Sequence, residues 1–125
     1  MRRLFLLTVL TAILCGVPAY SGSDGDGIPD ALDNCVAVAN GPSAGSCFSG
    51  GVQVDTDGDG YGNPCDGDFD NDEAVNSNDA VILQSDQESG TSTPGSGTDM
   101  NCDGVVDSKD AALFAPQIGA GEPGP

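Results

Sequence analysis

The stretch DMNCDGVVDSKD at residues 99–110 decides the fold of the second half of this chain. Acid or amide side chains stand at its first, third and fifth positions, a glycine at the sixth, and acids at the ninth and twelfth. Calcium is a hard cation that takes about six to eight oxygen ligands, and a short loop of this pattern can supply them. The backbone carbonyl of the seventh residue adds one more ligand. The spacing therefore predicts a calcium-binding loop.

Three further windows follow the same template. In one of them Glu73 occupies the glycine position, so it must accept an unfavourable backbone conformation or the turn must differ. In another, Gly22 stands where the leading acid is expected, which predicts a weaker site or one completed by water or by an acid from elsewhere. In chain order we name the windows loop 1 (22–33), loop 2 (55–66), loop 3 (68–79) and loop 4 (99–110).

The ligand positions contain most of the acids. Sixteen of the 20 stand in them, and only Glu73, Asp86, Glu88 and Glu122 fall outside. A solvated acidic face or a disordered acidic chain would not sort its acids in this way. The predicted ligands, including one backbone carbonyl per loop, are Asp24, Asp26, Ile28, Asp30 and Asp33; Asp55, Asp57, Asp59, Tyr61, Asn63 and Asp66; Asp68, Asp70, Asp72, Ala74, Asn76 and Asp79; Asp99, Asn101, Asp103, Val105, Asp107 and Asp110.

The beginning of the chain has the features of a secretory signal peptide. A basic Arg2-Arg3 pair precedes an apolar run from Leu4 to Val17, and small residues follow, which predicts cleavage after Ala19. A membrane anchor is the alternative, but the run is shorter than the roughly 20 residues that span a bilayer. We therefore expect export, with no membrane insertion after cleavage.

The net charge limits the partners. It is −17 for the full chain, and loss of Arg2 and Arg3 leaves Lys109 against 20 acids, or −19. Such self-repulsion would keep a small chain open unless cations neutralised it. The same charge excludes nucleic acid and anionic membranes as partners.

Cysteines predict a second kind of support. Four remain after cleavage, Cys35, Cys47, Cys65 and Cys102, and an even number in an exported chain indicates two disulfides. Three pairings are possible, and spacing alone does not choose among them. A zinc site is disfavoured because the chain has no histidine and no Cys-x-x-Cys pair.

Few apolar residues are available for a core, and small secreted domains in that position depend on metals or disulfides. Apolar stretches at 80–83 and 111–114 each follow an acidic segment and predict two short helices, capped by Asn76 or Ser77 and by Asp107. An acid–base enzyme is excluded, because the chain has no histidine and is too small and core-poor to form a substrate cleft. The fold class is a small, loop-rich, calcium-organised fold with two short helices, stapled by disulfides.

Two stretches of the first half carry a family resemblance. The segments DGDGIPDALDNC at 24–35 and DTDGDGYGNPCD at 55–66 resemble thrombospondin type 3 repeats. That family wraps its repeats around calcium with little hydrophobic core. The resemblance implies a Cys35–Cys65 disulfide, which leaves Cys47 and Cys102 as the second pair.

The second half resembles another family. Residues 68–83 and 99–114 look like the duplicated calcium loop and helix of a type I dockerin, with Val75 and Val106 at the buried apolar position of each loop. The resemblance implies a module that docks onto a cohesin domain. Recognition positions of that family fall on Ser77, Asn78, Ser108 and Lys109.

The expected layout and function follow. We expect a secreted, non-catalytic calcium-binding module, with calcium in a structural role, that mediates protein docking or adhesion. The alternatives are a structural spacer without a tight partner, or a cohesin-binding dockerin of a polysaccharide-degrading complex. The predicted segments are a signal peptide (1–19), thrombospondin type 3-like repeats (20–66), dockerin-like repeats (67–117) with a flexible linker (89–98), and a disordered tail (118–125).

Overall fold

The computed structural model describes residues 22–43, 47, 53–93 and 95–120, so the predicted signal peptide and residues 121–125 of the predicted tail lie outside the described residues. Turns and bends form half of the described chain. Its helices are a single-turn 3-10 helix at Asp30–Leu32 and two α-helices, α1 at Ser77–Ser89 and α2 at Ser108–Phe114. None of the helices in these ranges has the length and apolar character needed to cross a bilayer. The loop-rich, two-helix fold class is confirmed.

Both α-helices begin at capping boxes. The Asn76 side chain accepts a hydrogen bond from the first turn of α1, and Asp79 accepts one from the Asn76 amide at 2.8 Å. Asp107 and Asp110 do the same for α2, also at 2.8 Å. These bonds satisfy N–H groups that a helix start leaves unpaired, and a cap contributes about 1 kcal/mol. Asn76, rather than Ser77, is therefore the cap of α1.

Among the described residues, the apolar core cluster lies in the second half of the chain. The rings of Phe69 and Phe114 stack with their centroids 5.4 Å apart. Val75 and Val106, which the dockerin resemblance places at buried positions, are 3% and 2% exposed. Packing between the two loop–helix units buries one continuous cluster, formed by Phe69, Val75, Leu83, Met100, Val106 and Phe114.

Two disulfides cross the chain, Cys35–Cys65 and Cys47–Cys102, with Cα–Cα distances of 5.7 and 4.4 Å. These are the pairings that the thrombospondin resemblance implied. They close 30 and 55 residues of sequence. Restricting loops of that length in the unfolded chain stabilises the fold by about 4 kcal/mol for each bridge in the chain-entropy model.

The two halves are in direct contact. The Gln117 side-chain amide donates to the Pro64 carbonyl at 3.2 Å, and the Asn71 side-chain amide donates to the Asp57 carboxylate at 2.9 Å. The Cys47 amide donates to the carbonyl of Asn101 in loop 4 at 3.0 Å. Loop 2 and loop 3 therefore lie side by side, although the boundary at residue 66 stays a prediction.

The segment expected to be a flexible linker surrounds a buried carboxylate. Asp86 of α1 is 3% exposed. It accepts hydrogen bonds from the hydroxyls of Thr93, Ser96 and Thr98 at 2.6, 3.2 and 2.5 Å, and from the Thr93 amide at 2.8 Å. Ser89, the first residue of the predicted linker, is still helical. Flexibility stays a prediction, but the segment is bonded to α1.

Candidate metal centre

Loops 3 and 4 share one hydrogen-bond pattern at their leading acid. In loop 3 the carboxylate of Asp68 accepts from the amides of Asp72 and Glu73 at 3.0 and 2.7 Å. The carboxylate of Asp99 accepts from the matching amides of loop 4, at 3.1 and 2.9 Å. In both loops the leading acid therefore stabilises the turn through two hydrogen bonds to its backbone.

The twelfth-position acids close the same two loops. Asp79 accepts from the amides of Asp70 and Asn76 at 3.3 and 2.8 Å. Asp110 accepts from the amides of Asn101 and Asp107 at 3.1 and 2.8 Å. Both closing acids are fully buried. Each one ties the third position of its loop to the cap of the following helix, so loop and helix form one unit.

The sixth position of every loop has a positive φ angle. Glu73 adopts φ +70° where Gly104, at the matching position of loop 4, has φ +88°. The turn in loop 3 is thus kept, and Glu73 accepts the unfavourable backbone that the sequence predicted as one of two outcomes. A left-handed conformation costs a residue with a side chain about 1–2 kcal/mol.

The fourth position is also left-handed in every loop, which the template did not include. Its residues are Gly25, Gly58, Asn71 and Cys102, with φ between 56° and 81°. Glycine and asparagine are the residues that adopt this conformation most readily. At three of the four positions the residue type therefore indicates the left-handed conformation. The left-handed residues at positions four and six flank the fifth residue, whose backbone amide donates to the leading acid in loops 3 and 4.

Carboxylates converge in three loops. Groups of three carboxylate oxygens lie within 4.8 Å of one another in loops 1, 2 and 3. Among the described residues no such group forms in loop 4, which has Asn101 at its third position. The convergent acids are Asp24, Asp26 and Asp33; Asp55, Asp57 and Asp59; Asp68, Asp70 and Asp72.

Other predicted ligands point elsewhere in the structure. Asp30 accepts hydrogen bonds from the amide and hydroxyl of Ser23 at 2.7 and 3.1 Å, and Asn63 bonds Thr56. A side chain at Gly22 would meet the Ile28 carbonyl at 2.3 Å, so the leading position of loop 1 has no room for an acid. Loop 1 therefore has no side-chain donor at its leading position, and its weaker calcium binding or completion by water or another acid stays a prediction.

The donor set of loop 1 fits a hard cation. One carboxylate oxygen of Asp24 and one of Asp33 are buried without a hydrogen-bond partner in the structure. Asp26, the third member of the group, has no exposed surface. Buried, unpartnered carboxylate oxygens are costly, and a bound divalent cation satisfies them together.

Buried acids in the other loops point the same way. Burial, with smaller contributions from the neighbouring acids Asp59, Asp57 and Asp68, raises the pKa of Asp66 to about 7. Burial also raises the pKa of Asp110. A nearby cation favours the ionised form of such groups, so cation binding and ionisation support each other.

The four predicted recognition residues are all exposed. Ser77 and Asn78 lie in the first turn of α1, and Ser108 and Lys109 in the first turn of α2. The Lys109 ammonium lies 2.6 Å from the Asp103 carboxylate and 3.8 Å from that of Asp107, both in loop 4. The hydrogen bond to Asp103 raises the pKa of Lys109.

Comparisons with known families agree with this geometry. Residues 22–42 match the model of the thrombospondin type 3 repeat, and residues 66–118 match that of the type I dockerin domain. Residues 43–65, which include most of loop 2, lie outside both matches, so the type 3-like character of loop 2 stays a prediction. No curated protein and no solved structure gave a significant match. Both matched families bind calcium, and the converging acids of loops 1 to 3 fit that ion. The chain contains a thrombospondin type 3 repeat followed by a type I dockerin domain.

Proposed function

We propose that this chain is a secreted, non-catalytic module whose fold is held by calcium and whose exposed loop–helix surface docks onto another extracellular protein. The observation that carries the proposal is the repetition of one loop geometry, with left-handed residues at the fourth and sixth positions of all four loops. Bound calcium would supply the positive charge that the converging carboxylates need. The proposed ligands are those predicted from the sequence except Asp30 and Asn63, which bond Ser23 and Thr56, and loop 1 is also short of its leading acid.

Secretion is supported by several independent features. The first residues have the charge and apolar pattern of a signal peptide, and the two disulfides are typical of oxidising compartments. Thrombospondin type 3 repeats and dockerins are typically extracellular. We assign residues 20–66 to the repeat-like half and residues 67–117 to the docking half.

A non-catalytic role is supported by the positions of the acidic residues in the sequence. Sixteen of the 20 acids stand in calcium-ligand positions, and the chain has no histidine. Acids that bind calcium are not free to exchange protons with a substrate. The two matched families are likewise non-catalytic modules.

Docking is supported by the position of the recognition residues. Ser77 and Asn78 stand at the start of α1, and Ser108 and Lys109 at the start of α2, each directly behind a calcium loop. Calcium binding would therefore fix the surface that a cohesin-like partner contacts. The charge of −19 in the exported chain favours a partner with a basic rim.

The test is binding of the mature, oxidised chain to immobilised cohesin domains in millimolar calcium and in chelator. We expect binding with calcium only, weakened about tenfold by the double substitution Ser77→Ala with Asn78→Ala, since each lost hydrogen bond costs about 0.5–1.5 kcal/mol. Leu32→Ala is the matched control, because Leu32 is exposed in the other half. Equal binding in chelator, or no binding to any cohesin class, would contradict the docking role.

The contact between the halves favours a second candidate, a structural spacer. The bonds from Gln117 to Pro64 and from Asn71 to Asp57, with the Cys47–Cys102 bridge, join the repeat-like and dockerin-like halves at several points. A spacer needs that rigidity and no partner. It predicts calcium-dependent stability together with the absence of cohesin binding in the same experiment.

A further inference from the structure

We propose that Lys109 sets the calcium affinity of loop 4 below that of loop 3, so that the two dockerin-like loops fill in a fixed order. The inference rests on the proposed calcium-binding function and deepens it. It starts from the ammonium of Lys109, which lies 2.6 Å from the fifth-position carboxylate Asp103 and 3.8 Å from the ninth-position carboxylate Asp107.

The two loops are otherwise well matched. Their leading acids accept the same pair of backbone amides, and their closing acids tie the third position to the helix cap in the same way. Each loop also has four carboxylates and one asparagine at its side-chain ligand positions, with the asparagine third in loop 4 and ninth in loop 3. Formal ligand charge therefore does not separate them.

The eleventh position does separate them. Loop 4 has Lys109 there, and loop 3 has the neutral Asn78. A side chain at this position reaches back over its own loop, as the ion pair with Asp103 shows. The positive charge competes with calcium for the fifth and ninth ligands and repels the ion once it is bound.

One further observation has the same sign. Loop 3 has the additional acid Glu73 beside its ligands, where loop 4 has the uncharged Gly104. The additional negative charge attracts a divalent cation to loop 3 more strongly than to loop 4.

The expected size of the effect is modest. The Lys109 side chain is 65% exposed, so it can leave Asp103 without uncovering buried surface. Exposed ion pairs contribute little because water and salt screen them, so a change of roughly two- to fivefold in affinity is expected.

The experiment follows each loop separately in the mature, oxidised chain during a calcium titration by NMR. The amide of Gly104 reports on loop 4 and that of Glu73 on loop 3, because each donates to the leading acid of its loop. We expect Glu73 to reach its midpoint at a lower calcium concentration than Gly104. Lys109→Asn should lower the Gly104 midpoint roughly two- to fivefold and leave the Glu73 midpoint in place.

The reciprocal variant is the matched control. Asn78→Lys should raise the Glu73 midpoint by a similar factor, and Lys109→Arg, which keeps the charge, should leave both midpoints near their original values. An unchanged Gly104 midpoint in Lys109→Asn, or equal shifts in both loops, would overturn the inference while calcium binding itself stands. If neither amide responds in millimolar calcium, the proposed function fails with it.

Discussion

The two halves of this molecule use the same loop geometry but differ in what fills its interior. Loops 3 and 4 have apolar residues at their second and eighth positions, and all four, Phe69, Val75, Met100 and Val106, belong to the core cluster. Loops 1 and 2 have Ser23, Pro29, Thr56 and Gly62 at the matching positions. The first half thus repeats the calcium geometry without the apolar residues that would hold it together in the absence of the ion.

Polar groups and sulfur, together with Pro64, occupy the buried side-chain positions described in the first half. Cys35, Cys65, Asp26, Asn40 and Asn63 are all at most 5% exposed. The side-chain oxygen of Asn40 accepts a hydrogen bond from the Gln53 side chain at 2.8 Å. The side-chain nitrogen of Asn40 donates one to the Asn34 side chain, also at 2.8 Å. Hydrogen bonds contribute only about 0.5–1.5 kcal/mol each, so this half has much less stability of its own than a half with a packed apolar cluster.

Calcium removal should give the largest difference between the two halves. We expect chelation to unfold residues 22–66 around their intact disulfide, while the second half keeps part of α1 because its apolar core remains. Hydrogen exchange measured segment by segment checks this, with the hydrodynamic radius as a second reading. If both halves stayed protected in chelator, the calcium-organised fold would be refuted.

Removal of core volume should affect only the second half. Phe114→Ala deletes a ring that is 3% exposed and stacked on Phe69, and such changes cost about 3–5 kcal/mol. Thermal unfolding in calcium measures the loss, and Val81→Ala, at an exposed position of α1, is the control. Equal loss of hydrogen-exchange protection in both halves of the Phe114→Ala protein would show that the halves unfold as one unit.

The buried carboxylate Asp86 should give a smaller effect with a pH signature. Burial alone would raise the pKa of Asp86, but hydrogen bonds from Thr93, Thr98 and Ser96 outweigh it and place the pKa below its usual value. Its contribution to stability is therefore full above the unfolded-state pKa of about 3.9 and is lost as the pH falls through the lower folded-state pKa.

We expect Asp86→Asn to reduce the free energy of unfolding by about 1–3 kcal/mol at neutral pH and to remove that acid dependence. Denaturant unfolding across a pH series measures both. Glu88→Gln changes the same charge at an exposed position of the same helix, and a similar loss in that variant would mean that overall charge, rather than the bonds to residues 93–98, is responsible.

The smallest expected change is a gain. Glu73→Gly removes a side chain from a residue at φ +70°, which should stabilise the calcium-bound state by about 1 kcal/mol, because relief of the backbone conformation outweighs the screened attraction between the exposed Glu73 carboxylate and the ion. Gly104→Ala is the converse change at the matching position of loop 4, where φ is +88°, and it should destabilise that loop. A Glu73→Gly protein that melts at a lower temperature than the parent would contradict the strain at this turn.

The sequence was sufficient to predict the turns of the loops, the two helices and the cap of α2, because each depends on residues close by in the chain, and it left the cap of α1 between Asn76 and Ser77. The left-handed Asn71 has a local signal, since asparagine tolerates that conformation, whereas Cys102 has none. The bonds around Asp86 depend on how Thr93, Ser96 and Thr98 are brought back to α1, and composition carries no information on that arrangement. The core positions of Phe69 and Met100 depend on packing between the two loop–helix units, which the spacing of the acids does not encode.

The crossed disulfides determine how the molecule would respond to mechanical tension. A force applied before loop 1 and after α2 follows the shortest covalent path, which runs along residues 35–47 and then through the Cys47–Cys102 bridge. Loops 2 and 3 lie on the bypassed length, so no tension would pass along their backbone while loop 1 and the end of loop 4 extend. A tether built in this way would have a short extensible length and would keep its two central calcium loops out of the covalent load path.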